Sequence, residues 1–125
     1  MTNLIQLKII ITNTFTIQCF IIDQQGNQTP INLKENNKEE SNHFIKEWFY
    51  YPELFTLYKI QIQNKEYSVI AEVLFAFIIN EFKQIIEKKW IINSVTIELP
   101  KDNKLLLERI KISLEAIGMK GIEFN

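Results

Sequence analysis

The sequence predicts an α/β fold on a five-stranded mixed sheet, and three observations carry that expectation. The first third holds three short apolar segments separated by turn signals, the pattern of an antiparallel meander. The last third, Asn93 to Asn125, runs from a strand into a capped helix ending at Gly118, and then into a second apolar segment, Met119 to Phe124. Connections that short imply two parallel strands joined by a right-handed crossover. Finally, 125 residues with 46% hydrophobic content make one domain, 1–125. A chain of that length removes about two-thirds of its unfolded surface from water.

Leu4 to Ile11 alternates and then becomes continuously apolar, which predicts a first strand buried on both faces towards its end. Thr12-Asn13-Thr14 turns the chain. Phe15 to Ile22, rich in β-branched and aromatic residues, is the second strand. Cys19 is the one cysteine, and in this apolar run it is expected to be a buried, inert thiol. Asp23-Gln24-Gln25-Gly26-Asn27 is a hairpin signal. Thr29 to Leu33 is a short third strand, placed at a sheet edge because Pro30 cannot donate to a ladder.

Lys34 to Asn42 is polar and charged and is expected to be a solvated loop. His43 to Trp48 forms one or two helical turns, and the run Trp48-Phe49-Tyr50-Tyr51 then meets Pro52. Leu54 to Gln63 alternates, with Tyr58, Ile60 and Ile62 on one face and Leu57, Lys59, Gln61 and Gln63 on the other. That is a half-buried strand. Asn64-Lys65-Glu66 turns it, and Tyr67 and Ser68 pair back. Residues 34–68 thus make a small inserted subdomain of aromatics and a hairpin.

Val69 to Lys89 is a long helix, with Ser68 as its N-cap and Lys88 and Lys89 suiting its dipole. Its centre, Val73 to Ile79, is apolar all round and is expected to be buried on more than one face. Glu72, Asn80 and Glu81 bound it far short of the roughly 20 apolar residues of a membrane span, so no membrane insertion is expected. The last helix starts at Asp102 or Asn103. Leu106, Ile110, Leu114 and Ile117 form its core stripe, and Gly118 is its C′ residue.

These elements give β-β-β, the insertion, then α-β-α-β. The expected sheet order is 3-2-1-4-5 with strands one, four and five parallel, a ribonuclease-H-like core. Ligands of open α/β sheets gather at the carboxyl ends of parallel strands. The tips to watch are Thr12-Asn13-Thr14 and Leu99-Pro100-Lys101.

Composition narrows the function classes. The formal net charge is −1 and Arg109 is the only arginine, which does not favour a nucleic-acid partner. The first residues, Met1 to Lys8, lack a basic n-region and their apolar run is interrupted, so no signal peptide is read and a cytoplasmic location is expected. His43 is the only histidine and there is one distant cysteine, so no zinc site is expected. Ser68 and Ser94 lack the context of a nucleophile triad.

Several stretches fall, in order, where the first lobe of the seventy-kilodalton heat-shock chaperone ATPases has its own. Asp23-Gln24-Gln25-Gly26-Asn27-Gln28-Thr29-Pro30 resembles that family's Asp-Gln-Gly-Asn-Arg-Thr-Thr-Pro turn. Trp48-Phe49-Tyr50 sits where the family has Trp-Pro-Phe. Lys59-Ile60-Gln61-Ile62 resembles its Lys-Val-Gln-Val strand, and Asn93 to Pro100 its Asn-Ala-Val-Val-Thr-Val-Pro strand. Glu115-Ala116-Ile117-Gly118-Met119 resembles its Ile-Ala-Gly-Leu helix end. The resemblance is collinear over nearly the whole chain and implies the actin-like ATPase fold.

The departures concern chemistry. The family's first hairpin carries an Asp and then a Gly-Thr-Thr phosphate loop. The matching stretch here is Ile11-Thr12-Asn13-Thr14-Phe15, without the carboxylate or the glycine. A phosphate cradle needs closely approaching backbone N–H groups, and magnesium needs carboxylates or waters held by them. No ATP binding, no cofactor and no metal are therefore expected. The family's catalytic lysine has no match in the shortened segment Lys34–Asn42. A ribonuclease site would need carboxylates on the first strand as well as Glu72 and Glu98, and the first strand has none. The chain is expected not to be an enzyme.

The expected function is a non-enzymatic protein-interaction module, derived from a chaperone ATPase lobe, that binds another protein or self-associates as a two-fold dimer. The aromatic cluster Phe44, Trp48, Phe49, Tyr50, Tyr51, Phe55 and Tyr58 is either the small core of the insertion or an interaction surface. Trp48, Tyr50, Tyr51, Phe75 and Phe77 are the candidate interface residues. Two alternatives stand beside this. One is weak small-molecule or nucleotide binding at the strand tips. The other is a fragment of a longer chaperone-like ATPase, whose second phosphate loop and second lobe would lie beyond Asn125.

Overall fold

The computed structural model describes residues 3–32 and 38–124. Its first strand, β1 (Leu4–Ile11), is the hub of the main sheet. β2 (Ile17–Ile22) pairs with it antiparallel, from Gln6 opposite Ile22 to Ile11 opposite Ile17, and β3 (Gln28–Ile31) pairs with β2. On the other side of β1 runs β6 (Ile91–Glu98) in parallel, followed by β7 (Ile122–Phe124), also parallel. The sheet order is β3-β2-β1-β6-β7. This is the expected 3-2-1-4-5 once the inserted hairpin is set aside, with Pro30 on the edge strand as its missing N–H requires.

Among the described residues there are three helices: α1 (Lys38–Tyr50), α2 (Ala71–Ile86) and α3 (Lys104–Ala116). Alternation along β1 buries Ile5, Leu7, Ile9 and Ile11, and Val95 and Ile97 of β6 lie beside them. The helices close over this layer with Phe75, Ile79, Phe82 and Ile86 of α2 and the stripe Leu106, Ile110 and Leu114 of α3. Lys8 and Ile10, on the opposite face of β1, are only half-buried, so the expected burial of both faces does not develop.

Local chemistry explains most boundaries. The Asp23 carboxylate accepts from the backbone N–H groups of Gln25 and Asn27 at 2.9 Å each, and Gly26 takes a φ of +87°. Those bonds, the one to Asn27 first, hold the Asp23 carboxyl below its usual range. α3 begins after Asn103, whose side chain accepts from the Leu106 N–H at 3.1 Å. Gly118 follows its end with a φ of +82°. Burial pushes the Cys19 thiol up, in keeping with an inert core residue.

Several expectations are corrected. The second strand starts at Ile17, because Phe15 sits at a φ of +60° in the turn. The segment Lys34–Asn42 is not a continuous loop: α1 begins at Lys38, and residues 34–37, like Leu33, lie outside the described residues. α1 is longer than the expected one or two turns because Phe44, Ile45, Trp48 and Phe49 anchor one side of it in the core. The strand expected over Leu54–Gln63 is confined to β4 (Tyr58–Ile62). Gln63 and Asn64, both at positive φ, form a two-residue turn into β5 (Lys65–Val69). Ser68 pairs with Lys59 across that hairpin and does not cap α2, whose N-cap, Ile70, makes no side-chain bond. Lys88 and Lys89 lie beyond the end of α2, in a turn closed by bonds to the Ile86 carbonyl. Within the expected insertion 34–68, only β4 and β5 form a separate two-stranded sheet, while α1 shares the main core.

Candidate interaction site

The carboxyl ends of β1 and β6 lie at the same end of the sheet, because the two strands are parallel with Ile10 opposite Glu98. The β1 tip is closed on itself. The Thr12 backbone N–H donates to the Thr16 carbonyl and the Phe15 N–H to the Thr12 carbonyl, each at 2.9 Å. The Thr12 hydroxyl lies 3.0 Å from that of Thr14 and 2.6 Å from that of Thr16. Phe15, in a backbone conformation that bulky side chains rarely adopt, turns its ring onto Phe49 at 5.5 Å and Tyr50 at 5.6 Å between centroids. An aromatic cluster from the end of α1 therefore packs beside the tip.

The five candidate interface residues do not share one surface. Trp48 and Phe75 are 2% and 0% exposed and pack against each other with tilted rings, 5.4 Å between centroids, in the core, where neither offers contact area to a partner. Phe77 is half-buried. Tyr50 and Tyr51 are exposed and lead into the segment that joins α1 to β4. Along it Tyr50, Tyr51, Leu54, Phe55 and Leu57 are 54%, 57%, 56%, 67% and 63% exposed. Sequence alternation had assigned Leu54 and Leu57 to a strand. The available sign was that Leu57 stood alone among Lys59, Gln61 and Gln63 on the polar face of that pattern. Pro52 within the segment is buried and the Leu54 N–H donates to the Tyr51 carbonyl at 3.1 Å, so the loop has a defined shape. Phe55 lies against Arg109, with the guanidinium carbon 5.2 Å from its ring centroid.

Beneath this loop is a small polar centre. Tyr58 donates its hydroxyl to Glu47 Oε1 at 3.0 Å, and His43 Nε2 is 3.3 Å from the same oxygen. Burial, then the hydrogen bond to the Glu47 carboxylate and its charge, push the Tyr58 phenol up to about 12. Glu47, Trp48, Tyr51, Leu54, Thr56, Tyr58 and Ala71 surround a cavity of about 20 Å³. The indole Nε1–H of Trp48 is buried and has no hydrogen-bond partner among the described residues. A buried donor left this way costs about 1–3 kcal/mol.

The remaining sequence candidates are spoken for by structural partners. Glu72 pairs with Arg109 at 3.4 Å and Glu98 with Lys8 at 3.6 Å. Among the described residues no three His, Cys, Asp or Glu side chains come together in a metal-binding group, and no helix is long and apolar enough to cross a membrane. A wider, open cavity of about 190 Å³ lies at the opposite end of the sheet, lined by Gln6, Asp23, Gln24, Asn93 and Ser94 among others. There Asn93 is the extra residue where the β1–β6 register shifts between Ile5 and Gln6. Gln6 donates to the Thr96 hydroxyl beside it. No protein-family model matches the chain, and no curated protein matches it.

Proposed function

We propose that this chain is a protein-interaction module of the cytoplasm on a ribonuclease-H-like scaffold, one that resembles a chaperone ATPase lobe without its nucleotide chemistry or turnover. The observation that carries the reading is the Tyr50–Leu57 segment, where five large apolar side chains are each more than half exposed. Scattered exposed hydrophobics are ordinary, but a concentration in one ordered loop marks a contact surface. Two are tyrosines, which supply large contact area at small entropic cost.

The β1 tip supports the loss of nucleotide binding. Its hydroxyls are bonded to one another, and Phe15 occupies a left-handed position of the kind that glycine fills without strain. A triphosphate would have to break those bonds and would meet no carboxylate from Thr12, Asn13 or Thr14 to hold a metal.

Light scattering over a concentration series tests the reading. The native chain is expected to self-associate as a two-fold dimer. A variant carrying Leu54→Asp, Phe55→Asp and Leu57→Asp is expected to be monomeric with an intact fold, since exposed substitutions usually change stability by only about 0.5 kcal/mol each. A native chain that stays strictly monomeric and presents no apolar surface to a solvatochromic dye would overturn it. So would calorimetry giving magnesium-ATP a Kd near 1 μM, about −8 kcal/mol.

A further inference from the structure

We infer that the open cavity at the Leu4 end of the sheet binds a small alkylguanidinium, with the cation at Asp23 and the alkyl stem against Leu4 and Ile22. The site lies apart from the Tyr50–Leu57 loop and does not rest on the interaction reading above.

Strand pairing builds the floor of this cavity. Leu4 and Gln6 share the face of β1 turned away from the helices, because Ile5 and Leu7 alternate with them and are buried in the core. Ile22 of β2 and Ser94 of β6 both stand directly opposite Gln6, so their side chains rise from that same face. Asn93 and the turn residues Asp23 and Gln24 complete a lining around about 190 Å³. That is the space of about six liquid waters, room for a ligand of about eight non-hydrogen atoms. The wall is braced before a ligand arrives. Gly121 packs so closely behind the bulge that a Cβ there would lie 3.1 Å from the Asn93 carbonyl oxygen and 3.3 Å from Ser94. Gln6 is held by its bond to the Thr96 hydroxyl. Such preorganisation lowers the cost of binding.

Charge selects the ligand. Among the described residues that line the cavity, Asp23 is the one that carries a charge, and no Lys, Arg or His joins it. Lys8, next along the same face, pairs with Glu98 at 3.6 Å. The Asp23 carboxyl is held below its usual range, by its bond from Asn27 first, and is ionised at neutral pH. An anion is therefore repelled and a cation attracted. A carboxylate has acceptor sites beyond the two N–H groups that Asp23 Oδ1 already serves. Gln6, Gln24, Asn93 and Ser94 each bring a further side-chain oxygen to the lining residues. Several acceptors around one charge suit a guanidinium, whose planar fork spreads five N–H donors and is less strongly hydrated than an ammonium. Leu4 and Ile22 supply apolar surface for the methylenes that follow it. Solvent reaches the open cavity, so the attraction is screened and the affinity is modest.

The test titrates the full ¹⁵N-labelled chain with n-butylguanidinium chloride at constant ionic strength. The backbone amides of Gln24 and Ser94 and the side-chain amide of Gln6 are expected to shift saturably with a Kd of about 1 mM, the affinity open to a ligand of about eight non-hydrogen atoms. The amides of the Tyr51–Leu57 loop stay in place. n-Butylurea keeps the shape and planar donors without the charge, and should bind about fivefold more weakly, the worth of an ion pair open to solvent. n-Butylammonium keeps the charge without the fork, and should bind about threefold more weakly. Asp23→Asn keeps an oxygen for the two N–H groups of the turn and removes the charge, so it should raise the Kd for n-butylguanidinium about fivefold. Resonances that stay still at about 20 mM n-butylguanidinium, twenty times the expected constant, overturn the inference. So does an equal Kd for the urea or for the ammonium. Shifts spread evenly over the whole chain would mark general solvation by the cation and equally overturn it. The comparison of the three probes uses the native chain alone, so it stands whether or not the Asp23 variant folds.

Discussion

Asn103 ties the end of α1 to the start of α3: its Nδ2 donates to the Phe49 carbonyl at 2.8 Å while its Oδ1 accepts from the Leu106 N–H at 3.1 Å. One amide thus satisfies a carbonyl in the last turn of one helix and an orphan N–H in the first turn of another. It also ties the aromatic corner of Phe15, Phe49 and Tyr50 to the start of α3.

Removing that tie should be measurable. Asn103→Ala is expected to lower unfolding free energy by about 1–2 kcal/mol, the sum of a lost cap and a lost bond. Asn103→Ser can still cap but is too short to reach Phe49, and should lose about half as much. Urea denaturation with a common m-value checks this, and an Ala variant as stable as the native chain would show that neither bond matters.

Arg109 joins two surfaces. It pairs with Glu72 at 3.4 Å between α3 and α2 while its guanidinium faces Phe55, and the two side chains are only 23% and 14% exposed. Such a pair lies between the exposed and buried regimes. Arg109→Met, which strands the Glu72 carboxylate, is expected to cost about 1–3 kcal/mol. Adding Glu72→Gln should recover part of it, for a coupling of about 1 kcal/mol in a double-mutant cycle. Arg109→Lys keeps the charge but not the planar face. It should quicken amide hydrogen exchange in the Phe55 loop.

Tyr58 predicts an alkaline limb. Its proton is held more tightly in the folded chain, at about 12 against an ordinary 10. The extra stability is therefore fully present below pH 10 and is lost as pH rises from 10 through 12. Tyr58→Phe should remove that limb specifically, leaving the acid side of the stability profile unchanged. An identical alkaline slope in both proteins would assign the limb to other groups.

Of the three glycines, Gly121 is the one packed closely against neighbouring backbone, in the C-terminal crossover. Its φ is +62°, and a Cβ there would lie 3.1 Å from the Asn93 carbonyl oxygen and 3.3 Å from Ser94. Its own carbonyl accepts from the Val95 N–H at 3.0 Å. Gly121→Ala is expected to cost more than about 1 kcal/mol and to raise exchange of the Val95 amide. Gly118→Ala, at a similar φ but with open space around it, should cost less.

The extent of sequence legibility differs from element to element. The bounds of β1 were readable to the residue from its apolar run, but its burial was not: both faces were expected to be buried towards its end, and only alternate side chains are. The Asp23–Asn27 turn was readable and the start of α3 was narrowed to Asp102 or Asn103, because the hydrogen bonds at both places close within a few residues. α1 was not: Lys38 to Asn42 contains no apolar residue, and the helix is specified by Phe44, Ile45, Trp48 and Phe49 meeting the rest of the core. The same limit governed the interface. Trp48 and Tyr51 are three residues apart and equally aromatic, yet one is buried against Phe75 and the other is exposed.

The amino-acid sequence by itself determined the α/β class, the order of elements and the sheet order β3-β2-β1-β6-β7. Strand alternation, helical spacing, turn chemistry and the rules of chain connection are local or combinatorial and act before any particular packing. Tertiary structure alone decided that Phe15 turns onto Phe49, that Glu47 gathers Tyr58 and His43, and that the buried Trp48 N–H has no partner among the described residues. Those outcomes depend on which side chains from distant segments arrive at one place in a close-packed interior, where a shift of about one methylene is already felt.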